Sequence, residues 1–174
     1  MSIQQGTFDT AQLRNQIAVV TGAGNNGIGW GLCRHAAGVL GMHIMVIDLH
    51  APLVLSAVTR LRAEFPDVMI DGVQCDVTKQ EDLQAAAAKI STSFPGKDIG
   101  AVFANAGVIF NKTIMNSSVQ HWRTTLDVNI MGVLHTIKAF VPLLQRQSST
   151  SIFSTTASVG GLVRGDGGAA SYQA

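Results

Sequence analysis

A run of small and β-branched apolar residues, Ile17 to Thr21, leads directly into Gly22-Ala23-Gly24-Asn25-Asn26-Gly27-Ile28-Gly29, and an amphipathic stretch begins at Ile28. Gly22, Gly24 and Gly27 satisfy G-x-G-x-x-G, and the strand before and helix after supply the setting in which that pattern has meaning. Glycine is demanded there because the turn is tight and the backbone must approach a pyrophosphate without Cβ atoms in the way. A helix starting at Ile28 would turn its free N–H groups toward anionic oxygens. Gly22, Gly24, Asn25, Asn26, Gly27, Ile28 and Gly29 are therefore candidate phosphate-binding residues, the alternative being a glycine turn that holds no ligand. Asp48 ends the next apolar run, nineteen residues beyond Gly29. A carboxylate there can hydrogen-bond ribose hydroxyls and repels a 2′-phosphate. Leu49 is uncharged and no Lys or Arg lies between Thr21 and Cys33, so NAD is expected in preference to NADP. Alternatively, Asp48 caps the turn before Pro52.

The rest of the chain repeats the strand and helix theme. A helix is expected from 28 to about 40 on the spacing of Ile28, Leu32, His35, Ala36 and Val39, with Gly41 ending it. His43 to Asp48 is a second strand. Pro52 opens a helix carrying Leu55, Val58, Leu61 and Phe65 at helical spacing. A third strand covers 68–75, and Thr78 with Glu81 reads as a capping box for the following helix. Ile99 to Ala104 is a fourth strand, a long helical stretch runs from about 118 to 145 with Pro142 bending its end, and 151–154 is a fifth strand. Trp122, which shares three- and four-residue spacing with Val119, Leu126 and Ile130, is expected in the core. Strands alternating with helices of this length imply a doubly wound parallel α/β sheet, a Rossmann fold, as one domain over 1–174.

Composition excludes other classes. Of 174 residues 47% are hydrophobic and 13% charged, with a net charge of +1, which is incompatible with disorder and gives no electrostatic footprint for nucleic acid. No stretch approaches about 18 uninterrupted apolar residues, so no membrane span is expected. The start MSIQQGTFDT lacks a signal pattern, and Cys33 and Cys75 read as buried core thiols, both pointing to a cytoplasmic protein. Cys33 and His35 face different ways on a helix while His43 and His50 sit at the ends of a strand, so no metal site is expected. Arg164 and Asp166, within the small-residue stretch 160–168, read as a solvated loop, the alternative being contact with a substrate.

Taken in order along nearly the whole chain, these segments resemble the first two-thirds of a short-chain dehydrogenase/reductase. The family's T-G-x-x-x-G-x-G matches Thr21, Gly22, Gly27 and Gly29 once one extra residue is allowed among Gly24, Asn25 and Asn26. Cys75-Asp76-Val77 resembles the segment whose aspartate meets the adenine ring, the alternative being a turn residue at a strand end. Ala104-Asn105-Ala106-Gly107 resembles N-N-A-G with alanine for the first asparagine, and Asp127-Val128-Asn129 resembles the D-V-N whose asparagine supports a proton relay. For Asn129 the alternative is local polar packing. Residues 152–162 resemble the family's serine segment, with Ser158 as the catalytic serine beside the further hydroxyls of Ser154, Thr155 and Thr156. Tyr172, the single tyrosine, stands at the start of Y-x-x-x-K, whose lysine would be residue 176.

The resemblance implies an oxidoreductase that uses NAD to interconvert a secondary alcohol and a ketone. Tyr172 would exchange the proton and Ser158 would hydrogen-bond the same substrate oxygen. It also implies a homodimer or homotetramer through the long helix, whose Ile130, Val133, Leu134, Ile137, Phe140, Val141 and Leu144 wrap most of its circumference. The alternative function is a catalytically incompetent NAD-binding or regulatory protein on the same fold. A complete parent is expected to continue for about 70 to 100 residues, adding strands and a lid beyond the five strands present. The 174-residue chain is then expected to bind dinucleotide better than it turns over substrate.

Overall fold

Two strands of the sequence carry buried side chains in strict alternation, and that alternation builds the molecule. The computed structural model describes residues 9–162 and 168–174. In β1 (Ile17–Thr21), Ala18 and Val20 face one layer while Ile17 and Val19 face the other; in β2 (His43–Asp48), Ile44 and Val46 oppose Met45 and Ile47 in the same way. Both faces of each strand are apolar, which is possible only for a sheet covered on both sides. β3 (Ile70–Gln74), β4 (Ile99–Ala104) and β5 (Ile152–Thr155) complete a five-stranded sheet, all parallel, in the order β3-β2-β1-β4-β5. The expected doubly wound Rossmann sheet is the fold observed.

On one face lie α1 (Ile28–Gly38) and α2 (Ala51–Glu64), and on the other α3 (Gln80–Ser93) and α5 (Gly132–Leu144). α1 buries Cys33, Ala36 and Ala37, while Ile28 and Val39 are exposed and His35 faces solvent, so the expected apolar stripe is rotated from the true one. α2 likewise buries Val54, Ala57, Val58 and Leu61 and leaves Leu55 in water. In α1 the sheet takes small residues that allow close approach over the bulkier ones at similar spacing. Gly41, at φ +64°, closes the α1 turn as expected. The expected Thr78–Glu81 capping box does not form. Lys79 precedes α3 without a side-chain cap, and Thr78 instead bonds Asp76 Oδ1 through both its N–H and its hydroxyl.

The long helical stretch is one helix of 26 residues, Val119–Leu144, in three parts. α4 (Val119–Leu126) begins at Ser118, whose hydroxyl accepts the His121 N–H while His121 Nδ1 accepts the Ser118 N–H. A π-helical turn, Asp127–Met131, joins it to α5. Contrary to expectation, Trp122 is not a core residue but half-buried, with its indole N–H on Ser117 Oγ, and Val119 (68% exposed), Leu126 and Ile130 (58%) at the same spacing lie exposed. The helix is also long and apolar enough, by length and composition, to cross a membrane, which a search for uninterrupted apolar runs misses; here Ala139 and Phe140 pack it on the sheet. Finally α6 (Ala170–Gln173) carries Tyr172. Arg164 and Asp166 lie outside the described residues.

At the N-terminal edge of the sheet the imidazole of His43 is pinned in one tautomer. The Met69 N–H donates to its Nδ1 at 3.0 Å, so Nε2 carries the proton and donates to Asn15 Oδ1 at 3.0 Å. Burial, with the Lys97 ammonium nearby, lowers its pKa below the ordinary histidine value. The unfolded chain therefore binds the proton first as pH falls. His43 stabilises the fold fully above about pH 6.5 and loses that contribution as pH drops below it. In urea titrations at pH 7.5 and 5.5, wild type should lose more stability on acidification than His43→Gln, whose amide offers an acceptor and a donor but does not titrate. Equal losses in the two proteins would contradict this reading.

Candidate functional site

The strand ends that carry the predicted site residues are fastened by Thr21. Its hydroxyl oxygen accepts the N–H groups of Asn105 and Ala106, both at 3.0 Å, across the gap between β1 and β4. Asn105 returns the contact: its Nδ2 donates to Thr21 O at 3.0 Å and Gly22 O at 3.3 Å, and its Oδ1 accepts the Thr156 hydroxyl at 2.9 Å. One asparagine thus ties the ends of β1, β4 and β5. In the order β3-β2-β1-β4-β5 the chain reverses direction of progress between β1 and β4, the switch point where ligands bind in open α/β sheets.

The glycine segment is folded against this joint. Gly22 has φ +68°, and a Cβ there would sit 2.8 Å from Ala106 Cα. A Cβ on Gly29 would collide with the Gly22 carbonyl oxygen and Asn105 Nδ2, and one on Gly24 would lie 2.9 Å from Leu53 Cβ. Gly27 differs: nothing lies within 4 Å of its would-be Cβ, and it precedes α1 with no side-chain cap. The N–H groups of Ile28, Gly29 and Trp30 find no acceptor among the described residues. Three glycines are needed to pack the protein on itself, and the open end at Gly27 faces solvent with an uncapped helix N-terminus. That combination fits the pyrophosphate of a dinucleotide.

Asp48 ends β2 and places one carboxylate oxygen on the Gly24 N–H at 2.9 Å, while the other accepts His50 N–H at 3.4 Å. Each oxygen keeps a lone pair for a ribose hydroxyl. Leu49 beside it is exposed. Asp76 spends Oδ1 on Thr78, the turn role that was the alternative for it, and its own N–H donates to Asp82 Oδ2. Val77 is buried against Gly132, so its side chain belongs to the core.

Asn129 lies in the π-helical turn and uses its whole amide on one residue. Oδ1 accepts the Val108 N–H at 2.8 Å and Nδ2 donates to Val108 O at 3.0 Å. It fastens the segment Asn105-Ala106-Gly107 to the long helix, and a Cβ on Gly107 would stand 3.4 Å from Asn129 Oδ1. Interrupted helical pairing of this kind is frequent at functional sites. Ser158 and Tyr172 come together around Gly160, whose would-be Cβ lies 3.2 Å from both Ser158 Oγ and Tyr172 Cε1. Ser158 Oγ accepts the Gly160 N–H at 3.0 Å, which leaves its own proton free to be donated. Ser171, next to the tyrosine, is 4% exposed and shares a 3.1 Å hydroxyl contact with Thr125 of α4, 3% exposed. Ser154 and Thr155 lie on β5, and the Thr156 hydroxyl is committed to Asn105.

Sequence spacing missed one residue. Folding brings Arg60 from α2 to the glycine segment, where its guanidinium bonds Asn26 Oδ1 at 2.9 Å and covers the Trp30 ring at 4.0 Å. Nothing in the linear pattern marks it, because the glycine segment and α2 meet only in three dimensions. Among the described residues no group of three or more His, Cys, Asp or Glu side chains could hold a metal. A cleft of about 420 Å³ lined by Arg14, His43, Glu64 and Asp67 opens at the opposite end of the sheet, beside the start of β2 rather than its end.

The sequence profile of the short chain dehydrogenase family matches residues 16–174. The chain belongs to that family. An uncharacterized oxidoreductase of Staphylococcus aureus is 32% identical over 139 residues, 79% of this chain and 56% of the relative. A Burkholderia phymatum short-chain dehydrogenase/reductase solved in complex with NAD superposes with a TM-score of 0.84 at 30% identity, covering 93% of this chain and 55% of that one. An alcohol dehydrogenase of the archaeon Thermococcus sibiricus, complexed with 5-hydroxy-NADP, gives a TM-score of 0.78 at 27% identity over 92% of this chain and 65% of that one. This short-chain dehydrogenase sequence thus spans a little over half the length of the first relatives it matches.

The glycine geometry makes a paired prediction. Gly29→Ala should destabilise by roughly 2 to 4 kcal/mol, because its new methyl meets backbone on one side and the Asn105 amide on the other, whereas Gly27→Ala should change stability by under about 1 kcal/mol. Chemical denaturation of the two variants decides it, and equal losses would show that the segment is not packed as described.

Proposed function

We propose that this short-chain dehydrogenase is the cofactor-binding and catalytic part of a NAD-dependent oxidoreductase interconverting a secondary alcohol and a ketone. The observation that carries the reading is the approach of Ser158 Oγ and the Tyr172 ring around Gly160, on elements held to the glycine segment through Asn105. When bound, the nicotinamide supplies the hydride acceptor or donor. Tyr172 gives or takes the proton of the substrate oxygen, and Ser158 donates a hydrogen bond to that same oxygen with the proton its Gly160 contact leaves free. Asn129 acts by position, holding the segment from Asn105 to Val108 in place. A tyrosine near pKa 10 is a weak base at neutral pH. A lysine at position 176, one helical turn beyond Tyr172, would favour the phenolate.

Asp48 supports NAD over NADP, since its carboxylate stands at the end of β2 beside Gly24 with oxygen lone pairs to spare for ribose hydroxyls and a charge that repels a 2′-phosphate. The exposed Ile130, Leu134 and Ile137 on one long helix support a homodimer or homotetramer, and the buried free thiols of Cys33 and Cys75 support a cytoplasmic protein.

Titration with NADH and NADPH tests the cofactor assignment. Wild type should prefer NADH, and Asp48→Asn, which keeps an acceptor for the Gly24 N–H but removes the charge, should shrink the preference by roughly 10- to 100-fold. An unchanged ratio would remove Asp48 from the site. Tyr172→Phe should abolish hydride transfer to a panel of ketones while leaving NADH affinity within about twofold. Retained turnover would overturn the assigned proton donor.

A further inference from the structure

We propose that Arg60 is a positioning residue for the pyrophosphate cradle, clamping the two sides of its open end; this rests on the dinucleotide-binding reading above. The glycine segment holds one residue more than the spacing its family pattern allows, and the surplus falls among Gly24, Asn25 and Asn26. Asn25 and Asn26 are exposed. Their internal bonds are short-range only: Asn25 Oδ1 accepts the Asn26 N–H at 2.8 Å, and Asn25 O accepts the Gly27 N–H at 2.8 Å. A longer, exposed loop with local bonds alone would sample many shapes, and the free N–H groups that follow it would lose their common aim.

Arg60 supplies the missing long-range tie. Among the described residues it is the only side chain from outside the segment that bonds Asn25 or Asn26. Its guanidinium grips Asn26 on the entry side of Gly27 and lies on the Trp30 ring, in the first turn of α1, on the exit side. In sequence, Ile28 and Gly29, whose N–H groups are open, lie between those two anchors. The anchor itself is rigidly based, because Arg60 stands on α2 directly before Leu61, which is fully buried. No carboxylate pairs with Arg60 among the described residues, so its planar fork is committed to the loop and to the ring rather than to a salt bridge. Arginine suits this task because one flat group can stack and donate in its plane at once, which a lysine ammonium cannot.

The test compares wild type, Arg60→Ala, Arg60→Lys, Asn26→Ala and the Arg60→Ala/Asn26→Ala double variant by NADH titration, NADPH titration and urea denaturation. Hydrogen exchange of the Gly24 to Gly29 amides is followed without cofactor. Arg60→Ala should weaken NADH and NADPH alike by roughly tenfold. Asn26→Ala should match it, the double variant should be no weaker than either single one, and Arg60→Lys should not rescue. Exchange of the loop amides should quicken while the denaturation midpoint moves little. NADH affinity unchanged in Arg60→Ala overturns the proposal. So does full rescue by Arg60→Lys, which would make the effect one of charge alone, and so does a loss confined to NADPH, which would place Arg60 on the 2′-phosphate. A wild-type chain that binds neither nucleotide overturns the dinucleotide-binding reading itself, and this proposal with it; loop exchange would then report only on the clamp.

Discussion

A single hydroxyl, Thr21 Oγ1, 1% exposed, takes two backbone N–H groups of the β4 end and so holds the switch point of the sheet together. Asn105 and Ala106 leave β4 there and have no strand partner for those N–H groups, and buried amides left unpaired cost about 1 to 3 kcal/mol each. The Asn105 side chain then reaches back to the carbonyls of Thr21 and Gly22 and forward to the Thr156 hydroxyl. The glycine segment, the Asn105 segment and the strand that leads to Ser158 are consequently one bonded unit. A phosphate-binding end and a hydroxyl-bearing end can keep a fixed separation only if something of this kind joins them.

The packing follows the same logic outward. Three of the glycines are glycine because protein, not ligand, occupies the space of a side chain: Ala106 beside Gly22, Leu53 and Asp48 beside Gly24, and the Gly22 carbonyl beside Gly29. Only Gly27 opens to solvent. A segment can therefore satisfy a ligand-binding pattern while most of its glycines serve the close approach of α1 to the sheet, and the ligand sees the remaining opening. Asn129 plays the matching part on the other side, spending its amide on Val108 so that the segment after β4 is anchored at both ends.

Much of this was legible in the letters. Short apolar runs marked β1, β2 and β4 to the residue, because strands buried on both faces leave no apolar–polar alternation to misread. Helix existence was equally plain, but helix faces were only partly so: periodicity placed Ala36, Val58 and Leu61 correctly and also favoured Val39 and Leu55, which are exposed, while it passed over Cys33 and Ala57, which the sheet buries. The capping box at Thr78 failed because Asp76, two residues earlier, competes for the same hydroxyl and N–H. Expecting Trp122 in the core failed because the spacing it shares with Val119, Leu126 and Ile130 marks a face that the fold leaves exposed. Within the candidate site, Asp48, Ser158 and Tyr172 were singled out by order along the chain, while Arg60 was invisible because its partners Asn26 and Trp30 lie thirty or more positions away.

The most direct measurement is a two-dimensional amide NMR titration of the chain with NADH. Perturbed resonances should cluster on Gly22 to Gly29, Asp48 to Leu49 and Asn105 to Gly107, the three segments joined by Thr21 and Asp48. Perturbations centred instead on Arg14, His43 and Asp67, at the opposite end of the sheet, or none at saturating nucleotide, would contradict the assignment of this switch point as the dinucleotide site.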